Sequence, residues 1–176
     1  MTNQTQQFQG NITVGLDIGT TKVCVVVARQ HPESLEIIGM AQTPSQGFRK
    51  GVVINIDATV EAIKKACLEA ELVSGTKIEK VWIGVAGSHI RSMNSKGMVA
   101  VRHQEVQVDD IRRVIEAAQA VALPEDRQIL HVLPQTYFVD SQEGIKEPLG
   151  MSGVRLESAV HLVTGLKTSL ANIHKC

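Results

Sequence analysis

The chain has 176 residues, with 18 Lys plus Arg against 18 Asp plus Glu, so its formal net charge is zero. That balance argues against a nucleic-acid binder and against an acidic interaction tail, and no apolar run reaches the length of a membrane span. Three scattered cysteines (Cys24, Cys67 and Cys176) leave no C-x-x-C metal spacing and fit a reducing cytoplasm.

The first eleven residues are polar and Gln-rich, without the basic and apolar regions of a signal peptide, and read as a disordered lead-in over 1–11. An apolar run (Ile12, Val14, Leu16, Ile18) then carries one acidic residue, Asp17. The chain turns through Gly19-Thr20-Thr21 and enters a second apolar run, Val23 to Ala28. This predicts a strand–turn–strand with a carboxylate, two hydroxyls and an ammonium (Lys22) at its tip. Gly19 allows close backbone approach, the threonines add donors, and Asp17 suits a hydrated Mg²⁺. Together these groups suit the phosphates of a nucleotide. The spacing of a Walker loop is absent, and a strand rather than a helix follows the turn. The plain alternative is an ordinary hairpin with a polar turn.

A third strand is expected over Leu35–Ala41, then a loop over 43–51 and a short apolar run at Val52–Ile54. Asp57 is the expected N-cap of a helix running to about Val73, with Gly75 as its stop. Val81–Gly87 reads as a strand in which Trp82 packs into the core. The first half is therefore β-β-β-α-β, a helix-covered sheet of α/β type.

The second half has a different order. Gly97–Val101 is a strand, Asp109 and Asp110 open a helix to Leu123, and Pro124 ends it. Ile129–Leu133 and Tyr137–Asp140 form one strand or two, with Pro134 as a kink or edge marker. Residues 143–153 read as a loop, Leu156–Val163 as a last strand, and a helix begins at Thr168. This is a small β-α-β-β unit. The loop over 142–153 carries Ile145, Leu149 and Met151 among Lys146, Glu147 and other polar residues. Loops of that length are often functional, and with the sheet edge near Met98 it forms a candidate partner or filament surface. The alternative is a passive connector. His131 and His161 sit in strand runs and read as satisfied sheet histidines.

The segment V-G-L-D-I-G-T-T-K (14–22) resembles the first phosphate loop of the actin, Hsp70 and sugar-kinase superfamily. Narrower motifs follow in order: PSQGFRKGVVINID (44–57), IGVAGSHI (83–90), HVLPQTYFVD (131–140), QEGIKEPLGMSGVRL (142–156) and AVHLVT (159–164). The series resembles the FtsA family of bacterial actin-like cell-division proteins. The resemblance implies an actin-like, ribonuclease H-like α/β half-subdomain with a mixed sheet. It also implies an inserted α+β domain of the strand–helix–strand–strand (SHS2) type. Its implied boundaries are 12–91 for the first part of the nucleotide-binding subdomain, 92–165 for the insertion, and 166–176 for a helix returning to the subdomain.

By the same resemblance, Asp17 faces the Mg²⁺–water cluster, Gly19, Thr20 and Thr21 line the β- and γ-phosphates of ATP, and Lys22 neutralises them. No catalytic residue is implied, and any ATPase is weak and belongs to a longer protein. The implied partners are FtsZ, FtsN and further copies of the chain, with no nucleic acid. The implied location is cytoplasmic, at the inner membrane of the division septum, reached through a C-terminal helix beyond residue 176. An ATP-dependent kinase or chaperone ATPase of the same superfamily is the alternative; it requires an acid/base carboxylate near the phosphate loop, and none is evident.

Overall fold

The computed structural model describes residues 11–176, so the expected tail over 1–11 lies outside the described residues except for Asn11. The chain forms two compact units. One is residues 11–88 with 171–176, and the other is residues 89–170.

In the first unit, β1 (Ile12–Ile18), β2 (Lys22–Gln30), β3 (Leu35–Pro44) and β6 (Trp82–Gly84) form a sheet of order β3-β2-β1-β6. β1 runs antiparallel to β2 and parallel to β6, so the sheet is mixed. Alternation decides its faces: Val14, Leu16 and Ile18 of β1 and Val23, Val25 and Val27 of β2 point to one side, where all six are buried. Helix α1 (Ile56–Ser74) covers that side with Ala62, Ile63, Ala66 and Ala70. Its alanines let the helix approach the valine-rich strands closely.

The expected N-cap at Asp57 is displaced by two residues. Asn55, in extended backbone, accepts the Ala58 amide at 3.0 Å through Oδ1, and Asp57 instead lies in the first turn, favourably placed for the helix dipole. Gly75 ends the helix in the left-handed conformation (φ 65°), as its sequence position predicts. Within the expected loop, β4 (Phe48–Arg49) and β5 (Val52–Val53) form a small hairpin. Trp82 departs from expectation. It is 77% exposed, because β6 is an edge strand and Trp82 lies on the face that α1 does not cover.

The second unit has a sheet of order β7-β10-β8-β9, all antiparallel: β7 (Ile90–Ala100), β8 (Arg127–Val139), β9 (Gln142–Ile145) and β10 (Arg155–Leu166). Helix α2 (Val108–Gln119) packs on one face, over Leu156, Val160 and Leu162 of β10. Gly97 permits this contact. A Cβ there would stand 2.1 Å from the Val114 carbonyl oxygen and 2.6 Å from the Ala118 amide. The start of α2 is fixed by Asp110, whose buried carboxylate accepts the Gln107 amide at 3.0 Å and pairs with Arg113. Burial opposes its charge, but these partners outweigh that cost and hold the carboxyl below the usual range.

The helix ends four residues before the expected Leu123, where Ala120 leaves helical backbone angles. β8 is one strand carried through Pro134 by a bulge. Ala159 faces Thr136 and Val160 faces Pro134, which leaves Gln135 without a cross-strand partner. α3 (Lys167–His174) follows β10 directly.

Candidate functional site

The β1–β2 turn closes on itself. The Gly19 amide donates to the Lys22 carbonyl oxygen at 2.9 Å, and a Cβ on Gly19 would meet the same oxygen at 2.9 Å. Gly19 therefore makes the turn, and its N–H is not free for a ligand. The Thr20 and Thr21 amides have no backbone partner among the described residues, and Thr20, Thr21 and Lys22 are exposed. The Ser45 amide donates to the Thr21 carbonyl at 3.0 Å and ties the turn to the end of β3. Beside it lies a shallow depression of about 360 Å³ lined by Thr21, Lys22, Gln42, Thr43 and Pro44.

Asp17 is exposed, on the sheet face opposite the α1 core, between Cys24 of β2 and Gly84 of β6. Gly15 and Gly84 have open space where a Cβ would project, so the floor around the carboxylate is uncovered. The turn thus offers two free amides, two hydroxyls and one ammonium, with the carboxylate two residues before Gly19 and outside the depression. This donor set fits an oxyanion in part: the threonine amides and Lys22 can hold one, while Gly19 contributes shape only. Among the described residues, no cluster of His, Cys, Asp or Glu could hold a metal ion directly.

The second candidate surface divides into parts. Met98 is 58% exposed on the sheet face away from α2, whereas Ile145 and Met151 are half-buried against the core under α2. The two groups lie on opposite faces and are not brought together. Lys146, Glu147 and Leu149 are exposed. The 142–153 segment is well anchored: the Val106 amide donates to Met151, the Gly150 amide to Val106 and the Gly153 amide to Gln104, at 2.8–3.0 Å.

Two histidines carry features with no local sequence signal. His161 Nδ1 lies 2.6 Å from Asn94 Oδ1, a pair 67 residues apart in the chain that only the β7–β10 register joins. His89 is 2% exposed and neither ring nitrogen has a hydrogen-bond partner among the described residues, while Arg127 donates to its carbonyl oxygen at 3.0 Å. Burial, and then the Arg127 charge, push the His89 pKa below its ordinary value.

Residues 87–164 match the family model described as the SHS2 domain inserted in FTSA. The chain is 51% identical over 168 residues to the cell division protein FtsA of Pseudomonas aeruginosa, an alignment covering 95% of this chain and 40% of that protein. It is 48% identical to the Neisseria meningitidis FtsA (97% of this chain, 41% of that one) and 43% identical to the Bacillus subtilis FtsA (93% and 38%). The chain therefore spans about 40% of the length of the curated relatives it matches. Among solved structures, the PilM–PilN type IV pilus biogenesis complex superposes with a TM-score of 0.61 at 17% identity, covering 93% of this chain and 43% of that one. That likeness concerns the fold alone, and with the matched SHS2 model it fits an actin-like α/β architecture with an inserted α+β domain. Over the length it spans, this chain belongs to the FtsA family of cell-division proteins.

Proposed function

We propose that this chain is the phosphate-gripping and partner-binding portion of an actin-like division adaptor. Its β1–β2 turn supplies one of the phosphate contacts of a Mg·ATP site, and its inserted unit serves protein association. Thr20, Thr21 and Lys22 hold the phosphates, Gly19 shapes the turn, and Asp17 orients the metal's water shell. The single observation that supports the nucleotide reading is the pair of unpartnered threonine amides beside an exposed lysine. One loop gives only part of a nucleotide's contacts, each in competition with water, so affinity in this chain alone is weak and turnover is absent.

The likeness to the FtsA cell-division proteins supports a wider role within this reading: linking FtsZ filaments to the inner membrane at the septum, associating with FtsN and with further copies, and forming filaments. Met98, Ile145, Lys146, Glu147, Leu149 and Met151 are the residues proposed for association, now as two patches rather than one. Among the described residues no helix is long and apolar enough to cross a membrane.

The test is an amide NMR titration of the chain with Mg·ATP. Shifts confined to residues 17–22 and 42–45, weakened about tenfold in Lys22→Ala, are expected for one charge-assisted phosphate contact. No response, or one unaltered by Lys22→Ala, overturns the nucleotide reading. A kinase instead predicts phosphoryl transfer to a small acceptor, which a transfer assay on a chain of the relatives' full length detects.

A further inference from the structure

The sheet face of the second unit that α2 leaves uncovered holds a built depression. Its volume is about 590 Å³, and Asn94 and Lys96 of β7, Gln135 of β8, and Ala159 and His161 of β10 line it. The Pro134–Gln135 bulge lies at its wall, where it breaks the β8–β10 register and leaves Gln135 without a partner on β10. Its polar groups are held in place. Asn94 Oδ1 is engaged by His161 Nδ1, which leaves the Asn94 amide hydrogens free to donate. The Lys96 Nζ stands 5.4 Å from the Phe138 ring centroid. At the rim, the Lys146 Nζ reaches the Gln135 carbonyl at 3.4 Å. Glu157, on the same face of β10 as Ala159 and His161, pairs with Arg155 at 3.1 Å. The ammonium groups of Lys96 and Lys146 meet an aromatic ring and a carbonyl oxygen, and among the described residues neither is in an ion pair.

The shape also matters. β7 is an 11-residue edge strand with a neighbour on one side only. Asn94, Lys96 and Met98 project on one face at steps of about 6.7 Å, the side-chain repeat of a second extended chain. Lysine on an edge strand disfavours pairing with a like strand, and it favours one carrying the opposite charge. We propose that this edge and depression form a docking site for an extended acidic segment of a partner protein. The segment adds beside β7 and seats one carboxylate between the Lys96 ammonium and the Asn94 amide, with Gln135 and His161 closing the walls.

The test uses the whole chain, isotope-labelled, and short capped peptides alternating glutamate with threonine, or lysine with threonine. The glutamate peptide is expected to shift the amides of Asn94, Lys96, Ala159 and His161, and the lysine peptide to leave them unmoved. Lys96→Glu is expected to weaken the glutamate peptide about tenfold, with Lys96→Gln intermediate and amide dispersion retained in both. Four results overturn the proposal: equal response to both peptides, an equal response to sodium acetate alone, the same shifts from raising chain concentration without peptide, or unchanged affinity in both Lys96 variants.

Discussion

His89 is the residue whose environment sets the plainest demand on solution conditions. It is enclosed, both ring nitrogens lack partners among the described residues, and the Arg127 guanidinium donates to the His89 carbonyl oxygen. Burial, and then the Arg127 charge, lower the His89 pKa in the folded state, while the unfolded chain protonates it near the ordinary value of 6.5. A depressed histidine pKa means that the unfolded state binds more protons at mildly acidic pH, so stability falls as pH drops through and below that value. Urea unfolding at about pH 7.5 and about pH 5.5 is expected to show lower stability at the acidic end, with the difference reduced in His89→Leu. A pH dependence identical in both proteins would remove the assignment. The sequence exposes His89 only as one of several histidines without ligand spacing; its burial arises from tertiary packing, which no local pattern encodes. The β1–β2 turn is the opposite case. Asp17, Gly19, Thr20, Thr21 and Lys22 are contiguous, so their proximity was legible from the sequence. What was not legible is that the Gly19 N–H is consumed by Lys22, because that depends on the turn's hydrogen bonding rather than its composition.

At the scale of elements, the contact between β7 and α2 depends on Gly97. Any side chain there meets the α2 backbone at Val114 and Ala118, which cannot shift as a flexible side chain could. Gly97→Ala is expected to destabilise the second unit by about 1–3 kcal/mol or more, read as a lower urea midpoint at unchanged slope. Gly144→Ala, where a Cβ would meet nothing but the backbone has φ 75°, serves as a comparison for strain without a clash. Periodicity located the longer strands and the helices in order, because alternating valines and a helical apolar stripe are local signals; it read the short strands β4 and β9 as loop, since neither carries an alternating apolar run. It placed their ends less well. Asn55 rather than Asp57 caps α1, and α2 stops at Gln119 well before Pro124. Both Asn and Asp cap helices well, so the choice fell to which residue adopts extended backbone. Trp82 was misplaced for a different reason: a run flanked by apolar residues reads as buried on both faces, but β6 pairs with β1 alone and its outer face is open.

For the whole molecule, the division into units matters more than any single contact. The second unit is one continuous stretch, 89–170, with its own helix-covered sheet and two buried clusters around Val114–Leu156 and Ala118–Leu162. The first unit is assembled from 11–88 and 171–176, and Cys176 packs against the core that Val25 and Ala66 anchor. An insertion of this kind closes its own hydrogen bonds. The β10 strand that ends it pairs with β7 at the beginning, Gly165 facing Ile90, so the two ends of the stretch are brought together. A segment with adjacent ends and a private core has what independent folding requires. The excised 89–170 segment is therefore expected to unfold in urea as one cooperative transition, with a stability of about 3–5 kcal/mol. Its β7–β10 amide shifts are expected to match those of the whole chain. A broad, non-cooperative melt would mean that this core depends on the first unit, and the peptide-docking site proposed on its open face would then have to be tested only in the intact chain.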